Sequence, residues 1–176
     1  MSVPARTLEN PTAASRVDSF ALRHALAQFP QGVVAVGAEV DGAPEAIIAS
    51  TFTVGVSLEP PLVTLAVQHN SSTWPKLERS GGELGISVLG RDQNGLCRQI
   101  ASKDRANRFT GVDYQLHGSA LLLDGVPMWL RTRIYDQVRA GDHDIIVLEI
   151  LDLGFTEGAP GLVFHQHEFK TLTTLS

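Results

Sequence analysis

Residues 46–67 read AIIASTFTVGVSLEPPLVTLAV, and the fold is decided by how this stretch is read. It begins with an apolar run, Ala46-Ile47-Ile48, crosses the hydroxyl-bearing Ser50, Thr51 and Thr53, and after Glu59-Pro60-Pro61 enters a second apolar run from Leu62 to Val67. The pattern predicts two buried strands flanking a polar centre. Buried strands are normally apolar throughout, so hydroxyls between them need partners, either neighbouring backbone or the polar edge of a ligand. Both readings stay open at this point. Pro60 and Pro61 place a turn just before the second strand, because proline cannot donate to a sheet ladder.

Working outward, Val33 to Val40 reads as a strand joined to Ala46 onward through the tight turn Asp41-Gly42, a β-hairpin signature. Ahead of it Asp18 can cap a helix in which Phe20, Leu22, Ala25, Leu26 and Phe29 recur at helical spacing until Pro30 stops it, so one face of that helix is expected on the core. Residues 1–17 carry Pro4 and Pro11 without periodicity and read as a loose arm, leaving 18–176 as the folded domain.

Downstream, QHNSSTWPKLERSG puts Ser71, Ser72 and Thr73 at the entrance of a short helix from Trp74 to Arg79. A helix N-terminus has unpaired N–H groups and a partial positive charge, so these hydroxyls with Lys76 either cap the helix or hold a phosphate. Glu83 to Leu89 follows as a strand. Asp92 to about Ser102 reads as a helix with Leu96, Cys97 and Ile100 inward, which makes Cys97 a core residue rather than a nucleophile. Lys103, Arg105 and Arg108 form a basic turn, either a solvated face or an anion contact. Val126 to Val138 alternates as a half-exposed strand, Ala140-Gly141-Asp142-His143 turns, Asp144 to Leu153 returns, and Leu162 to Phe164 is a last apolar run. The plan is mostly β with peripheral helices: a closed or nearly closed antiparallel barrel.

Composition narrows the function. A chain of 176 residues suits one domain, and a net charge of -5 without clustered Lys and Arg along a face argues against nucleic acid. The single cysteine excludes an internal disulfide and fits a reducing compartment. No run approaches the roughly eighteen apolar residues of a membrane span, and the first residues lack the order of a secretory leader, so a cytoplasmic location without membrane attachment is expected. Gly85-Ile86-Ser87-Val88-Leu89 lacks the second glycine of a nucleophile elbow, and there is no phosphate-cradling glycine loop or dinucleotide fingerprint. His165 and His167, two apart, would share one face of a strand, but no further metal ligands accompany them, so no metal is expected. His24 and His117 look incidental.

In order along the chain, FALRHALAQFPQGVVAV, AIIASTFTVGVSLEPPLV, AVQHNSSTWPKL, LGISVLGRDQ, ASKDRANRF and RAGDHDIIVLEI resemble the flavin reductase-like family, the short-chain NAD(P)H:flavin oxidoreductases. The resemblance covers about Phe20 to Phe169. It implies a split β-barrel of the FMN-binding type that forms a homodimer, with FMN or FAD near the subunit interface and NADH or NADPH as hydride donor. By the same resemblance, Ala49, Ser50, Thr51 and Thr53 lie along the isoalloxazine and ribityl chain, with Val67 and Gln68 in the same cofactor-binding set. Ser71, Ser72, Thr73, Lys103 and Arg108 fall where similar proteins contact the flavin phosphate, and His143 of Gly141-Asp142-His143 matches the residue beside the nicotinamide.

Two positions depart from the family pattern. Ser50 stands where Asn is frequent, and Val54-Gly55-Val56 is one residue longer than usual, which predicts a bulge. Hydride transfer between two cofactors asks the protein mainly to hold two rings together and to stabilise arriving negative charge, so the lack of an acid-base pair is no objection. Reduced flavin would then pass to a separate monooxygenase. A non-catalytic flavin- or haem-type binding protein of the same barrel, and an interaction module using Trp74 and Trp129 as anchors, are the other classes; the Gly-Asp-His turn favours the reductase.

Overall fold

The segments flanking Asp41-Gly42 fold as the expected hairpin, and the other strands build outward from it. The computed structural model describes residues 18–173, so the arm expected over 1–17 lies outside the described residues. Helix α1 (Ser19–Leu26) comes first, capped by Asp18, whose carboxylate accepts the Ala21 N–H at 2.8 Å. Then come β1 (Gln31–Gly32), β2 (Val34–Val40) and β3 (Ala43–Ala49). Asp41 and Gly42 both take positive φ, 53° and 76°, the backbone that lets a two-residue turn follow the twist of its strands. A second hairpin, β4 (Thr53–Leu58) and β5 (Pro61–Gln68), precedes α2 (Trp74–Arg79), β6 (Leu84–Val88) and α3 (Asn94–Ile100). The remainder is all strand: β7 (Tyr114–His117), β8 (Ala120–Leu123), β9 (Met128–Ala140), β10 (His143–Phe155), β11 (Leu162–His165) and β12 (Glu168–Thr171).

Hydrogen bonding orders the large sheet β3-β2-β6-β9-β10-β5-β4, antiparallel throughout, with β8 and β7 attached to β2 at Ala38 and Ala120. A small second sheet joins β1, β11 and β12. The large sheet curls until β3 approaches β5, yet among the described residues these two share no ladder. Thr51, just past β3, supplies the stitch instead: its hydroxyl donates to the Ala66 carbonyl at 2.9 Å and accepts the Ala66 N–H at 3.0 Å. One side chain thereby satisfies a backbone donor and acceptor that the missing neighbour strand would leave open. The barrel is split along this seam.

Val34, Val36, Val63, Leu65, Ile86, Leu130, Ile146 and Leu148 fill the barrel interior, and Trp74 and Leu77 of α2 pack with them. The other face of β2 is covered by Leu89, Cys97, Ile100, Leu121 and Leu123. There β8 crosses β6 so closely that a Cβ on Gly85 would stand 2.0 Å from the Leu121 carbonyl oxygen, a separation that only glycine permits.

Several expectations change. Helix α1 buries none of its residues and leaves Phe20 and Leu26 exposed; among the described residues its hydrogen bonds to the rest of the fold lie beyond its end, where the Gln166 N–H donates to the Ala27 carbonyl and the Gln166 amide donates to the Gln28 side chain. The polar centre of 46–67 holds a strand of its own: β4 pairs with β5 through a bulge at Gly55, whose φ is 72°, as the extra residue predicted. The hairpin β7-β8 and strand β12 were not foreseen. His165 and His167 do not share a strand face, since Gln166 and His167 take positive φ and make the turn between β11 and β12. Trp74 is buried, and Trp129 is half-buried edge-on to His117 with ring centroids 5.4 Å apart, so neither is a surface anchor. No helix among the described residues is long and apolar enough to cross a membrane.

Candidate functional site

The seam between β3 and β5 opens into a cavity of about 600 Å³, within the range that holds a cofactor-sized ligand. Four stretches far apart in sequence line it: the end of β3 with Ala49, Ser50 and Thr51; the end of β5 with Val67 and Gln68; the Ser71-Ser72-Thr73 turn; and Lys103 and Arg108 beyond α3. His143, the cross-strand partner of Gln68, completes the wall from the start of β10. Eleven of the twelve expected site residues therefore meet here. Thr53 does not: beyond Thr51 the chain leaves the seam, and Thr53 sits exposed on β4 opposite Thr64. Thr51 lines the cavity, but its hydroxyl already serves Ala66 twice, so the backbone-bonding alternative holds for that residue.

At the α2 side the three hydroxyls divide their work. Ser71 accepts the Trp74 N–H at 3.1 Å and so caps the short helix. Ser72 accepts from the Arg105 guanidinium at 2.8 Å, while Thr73, almost fully buried, accepts from Arg108 at 3.2 Å and Arg105 at 3.4 Å. A hydroxyl that accepts from a guanidinium keeps its own proton to donate, so Ser72 and Thr73 can each offer an O–H to an anion. Arg108 is aimed by its Nε, which donates to the Ser102 carbonyl at 2.7 Å. Among the described residues no carboxylate pairs with Lys103, Arg105 or Arg108, although the chain as a whole is acidic. Uncompensated cations beside free hydroxyl donors make a phosphate-compatible corner. Lys76 is not part of it, being paired with Glu45 in a separate cleft that also holds Glu39, Asp41 and Arg79.

On the β10 side the His143 imidazole is held from Nδ1 by the Asp142 carboxylate at 2.7 Å. That hydrogen bond, with the imidazole's charge, keeps the Asp142 carboxyl below the usual carboxylate range. A carboxylate only accepts, so Nδ1 carries the proton and Nε2 is left for whatever enters the cavity. Ala49, Ser50 and Ala66 line the cavity too and add little side-chain bulk. Asn70 lines the cavity with nothing in the sequence to mark it, and Arg105, expected only as part of the basic turn, reaches Ser72 and Thr73 from outside the lining. Cys97 is core, as expected, and burial pushes its thiol up, away from nucleophilic use.

A phosphate-compatible corner, a mixed wall of apolar and hydroxyl-bearing residues from Ala46 to Thr51, and the His143 imidazole match a molecule with an anionic tail and a flat polar ring. No feature of the lining opposes it.

Comparison with known proteins points the same way. A family model described as "Flavin reductase like domain" matches residues 26–173. A "Flavin reductase" of Pseudomonas putida is 36% identical over 155 residues, covering 86% of this chain and 89% of that protein. The "4-hydroxyphenylacetate 3-monooxygenase, reductase component" of Thermus thermophilus is 31% identical, covering 86% of this chain and 95% of the relative. Among solved structures, the NADH:FAD oxidoreductase of Streptomyces globisporus in complex with NAD and FAD fragments superposes with a TM-score of 0.82 at 28% identity, covering 91% of this chain and 98% of that one. With the family match spanning the whole described barrel, this chain belongs to the flavin reductase-like domain family.

Proposed function

We propose that this protein is an NADH-dependent flavin reductase that passes hydride to FMN or FAD and supplies the reduced flavin to a separate monooxygenase. The observation that carries the reading is the seam cavity, where Ser72 and Thr73 from one segment and Lys103 and Arg108 from another converge beside His143. Relatives named as NADH:FMN and NADH:FAD oxidoreductases, and as reductase components of monooxygenases, support the donor, the acceptor and the partner.

A flavin, when bound, supplies the hydride-accepting ring. The chain's own part is placement. Lys103 and Arg108 neutralise the phosphate while the Ser72 and Thr73 hydroxyls donate to it. Ser50 and the backbone from Ala49 to Thr51 line the ring and offer fixed dipoles toward arriving negative charge. His143, fixed by Asp142, orients the nicotinamide through Nε2. None of these groups transfers a proton, so the chain contributes chiefly proximity and preorganisation.

A homodimer belongs to the same proposal. Among the described residues Phe20, Leu26, Phe29, Val54 and Leu58 are exposed on α1, the residues after it, and β4, and a second copy would cover such apolar side chains. The buried, unpaired cysteine fits a cytoplasmic setting. The test crosses FMN and FAD with NADH and NADPH in a steady-state assay on folded protein, with the mass in solution measured alongside. Consumption of NADH with a flavin is expected; no consumption in any combination refutes the function, and a monomeric mass refutes the dimer.

A further inference from the structure

A second imidazole–carboxylate pair stands directly behind the first. Asp144 is the cross-strand partner of Val67, whose side chain is buried in the barrel, so its carboxylate lies on the inner face of the sheet while His143 lines the cavity. His69 Nε2 donates to Asp144 Oδ1 at 3.0 Å, and the Gln137 amide donates to Oδ2 at 3.3 Å. Both carboxylate oxygens are thereby tied, one to the chain leaving β5 and one to β9, across the end of β10. Arg139, in register with Asp144, adds a favourable charge, and the His69 hydrogen bond is the main reason the Asp144 carboxyl lies below its usual range.

His69 grips the same turn a second time through its backbone. Its N–H donates to the Asp142 carbonyl at 3.0 Å, extending the β5–β10 ladder one residue into the turn that carries His143. Residues 142 and 144, on either side of His143, are thus both held by His69, once by main chain and once by side chain. Beyond the hairpin pairing of Ala140 with His143 and the Asp142–His143 hydrogen bond, no other segment among the described residues hydrogen-bonds the Gly141-Asp142 tip, where Gly141 takes a φ of 66° and the Asp142 side chain is 92% exposed. An imidazole that must meet a ring within a few tenths of an ångström needs such support from behind.

We infer that His69, acting through Asp144 and Gln137, is the positioning residue that fixes the Asp142-His143 turn for the nicotinamide. The inference rests on the reductase reading and on the part His143 plays in it. His69 touches neither cavity nor cofactor, so it sets how well the nucleotide is met and leaves flavin binding alone. The identity of residue 69 would therefore tune the apparent affinity for NADH.

The experiment compares His69→Ala, His69→Gln, Asp144→Asn and His143→Ala in flavin titrations, NADH kinetics and backbone hydrogen exchange of the flavin-free protein. For His69→Ala the expected result is a KM for NADH raised roughly five- to tenfold, as loss of one solvent-exposed hydrogen bond implies, with flavin affinity unchanged. Faster exchange of the amides from Gly141 to Asp144 should accompany it. His69→Gln, which restores a donor to Asp144, should recover most of the KM, and Asp144→Asn should fall between. An unchanged KM and unchanged exchange in His69→Ala, while His143→Ala raises the KM, overturns this inference alone, as does an equal loss in His69→Gln. A wild-type KM in His143→Ala overturns the nicotinamide reading of that residue and this inference with it.

Discussion

Replacing Arg108 by Ala removes one cation from the phosphate-compatible corner and leaves the rest of the cavity wall in place. Among the described residues the Arg108 side chain makes two hydrogen bonds, from Nε to the Ser102 carbonyl at 2.7 Å and from Nη1 to Thr73 at 3.2 Å, and no ion pair. Thr73 keeps Arg105 at 3.4 Å, so the buried hydroxyl is not orphaned and the fold should lose only about 1 kcal/mol. A charge-assisted hydrogen bond to phosphate is worth about 1.5–3 kcal/mol, or roughly 10- to 100-fold in Kd. Riboflavin has no phosphate and should lose about twofold or less. Fluorescence titration of FMN and riboflavin into wild type and Arg108→Ala measures both. Equal weakening of the two flavins, or none of FMN, would show that the anion does not sit between Lys103 and Thr73 and would refute the reasoning.

Gly85→Ala should destabilise the protein by about 1–3 kcal/mol or more in chemical denaturation, since its Cβ would be driven into the Leu121 carbonyl, with flavin affinity little changed in the folded fraction. Thr51→Val keeps the shape but leaves the Ala66 N–H and carbonyl without their stitch; a loss of about 1–3 kcal/mol in the same assay is expected, and a neutral result would mean that water serves the seam equally well. Asp142 has a folded-state pKa lowered by His143, so the protein's advantage over Asp142→Asn should be fully present above the ordinary carboxylate pKa of about 3.9 and vanish as pH falls through the lower folded value. Melting curves of the two proteins across that acid range check the sign; an advantage that grows on acidification would contradict it.

The barrel was legible where local chemistry and burial agree. Asp41-Gly42 announces a hairpin because only such residues take its backbone, and the paired apolar runs on either side follow. Ala120 to Leu123 shows where this fails: all four residues are buried, so no alternation marks the strand, and a helix turn or loop reads the same way. Helix α1 misleads for the opposite reason, since its apolar spacing is real but the face it prepares is not buried among the described residues. At the site, Ser71 to Thr73, Lys103 and Arg108 could be gathered only through the family resemblance, because contacts across some 30 residues leave no local trace. Thr53 came with the family resemblance as part of the Ala49 to Thr53 segment and lies outside the cavity lining because the chain turns into β4, whereas Arg105 was visible as charge but not as a partner of Ser72. The His69–Asp144 pair, 75 residues apart, had no sequence signature at all.

Anaerobic stopped-flow mixing of the flavin-loaded protein with NADH tests the central claim most directly. The account predicts that the oxidised-flavin absorbance bleaches in one stoichiometric turnover, at a rate that rises and saturates with NADH and is slowed or right-shifted in His143→Ala. Flavin that is demonstrably bound in the cavity yet stays oxidised at every NADH concentration would contradict it and leave a binding protein in place of a reductase.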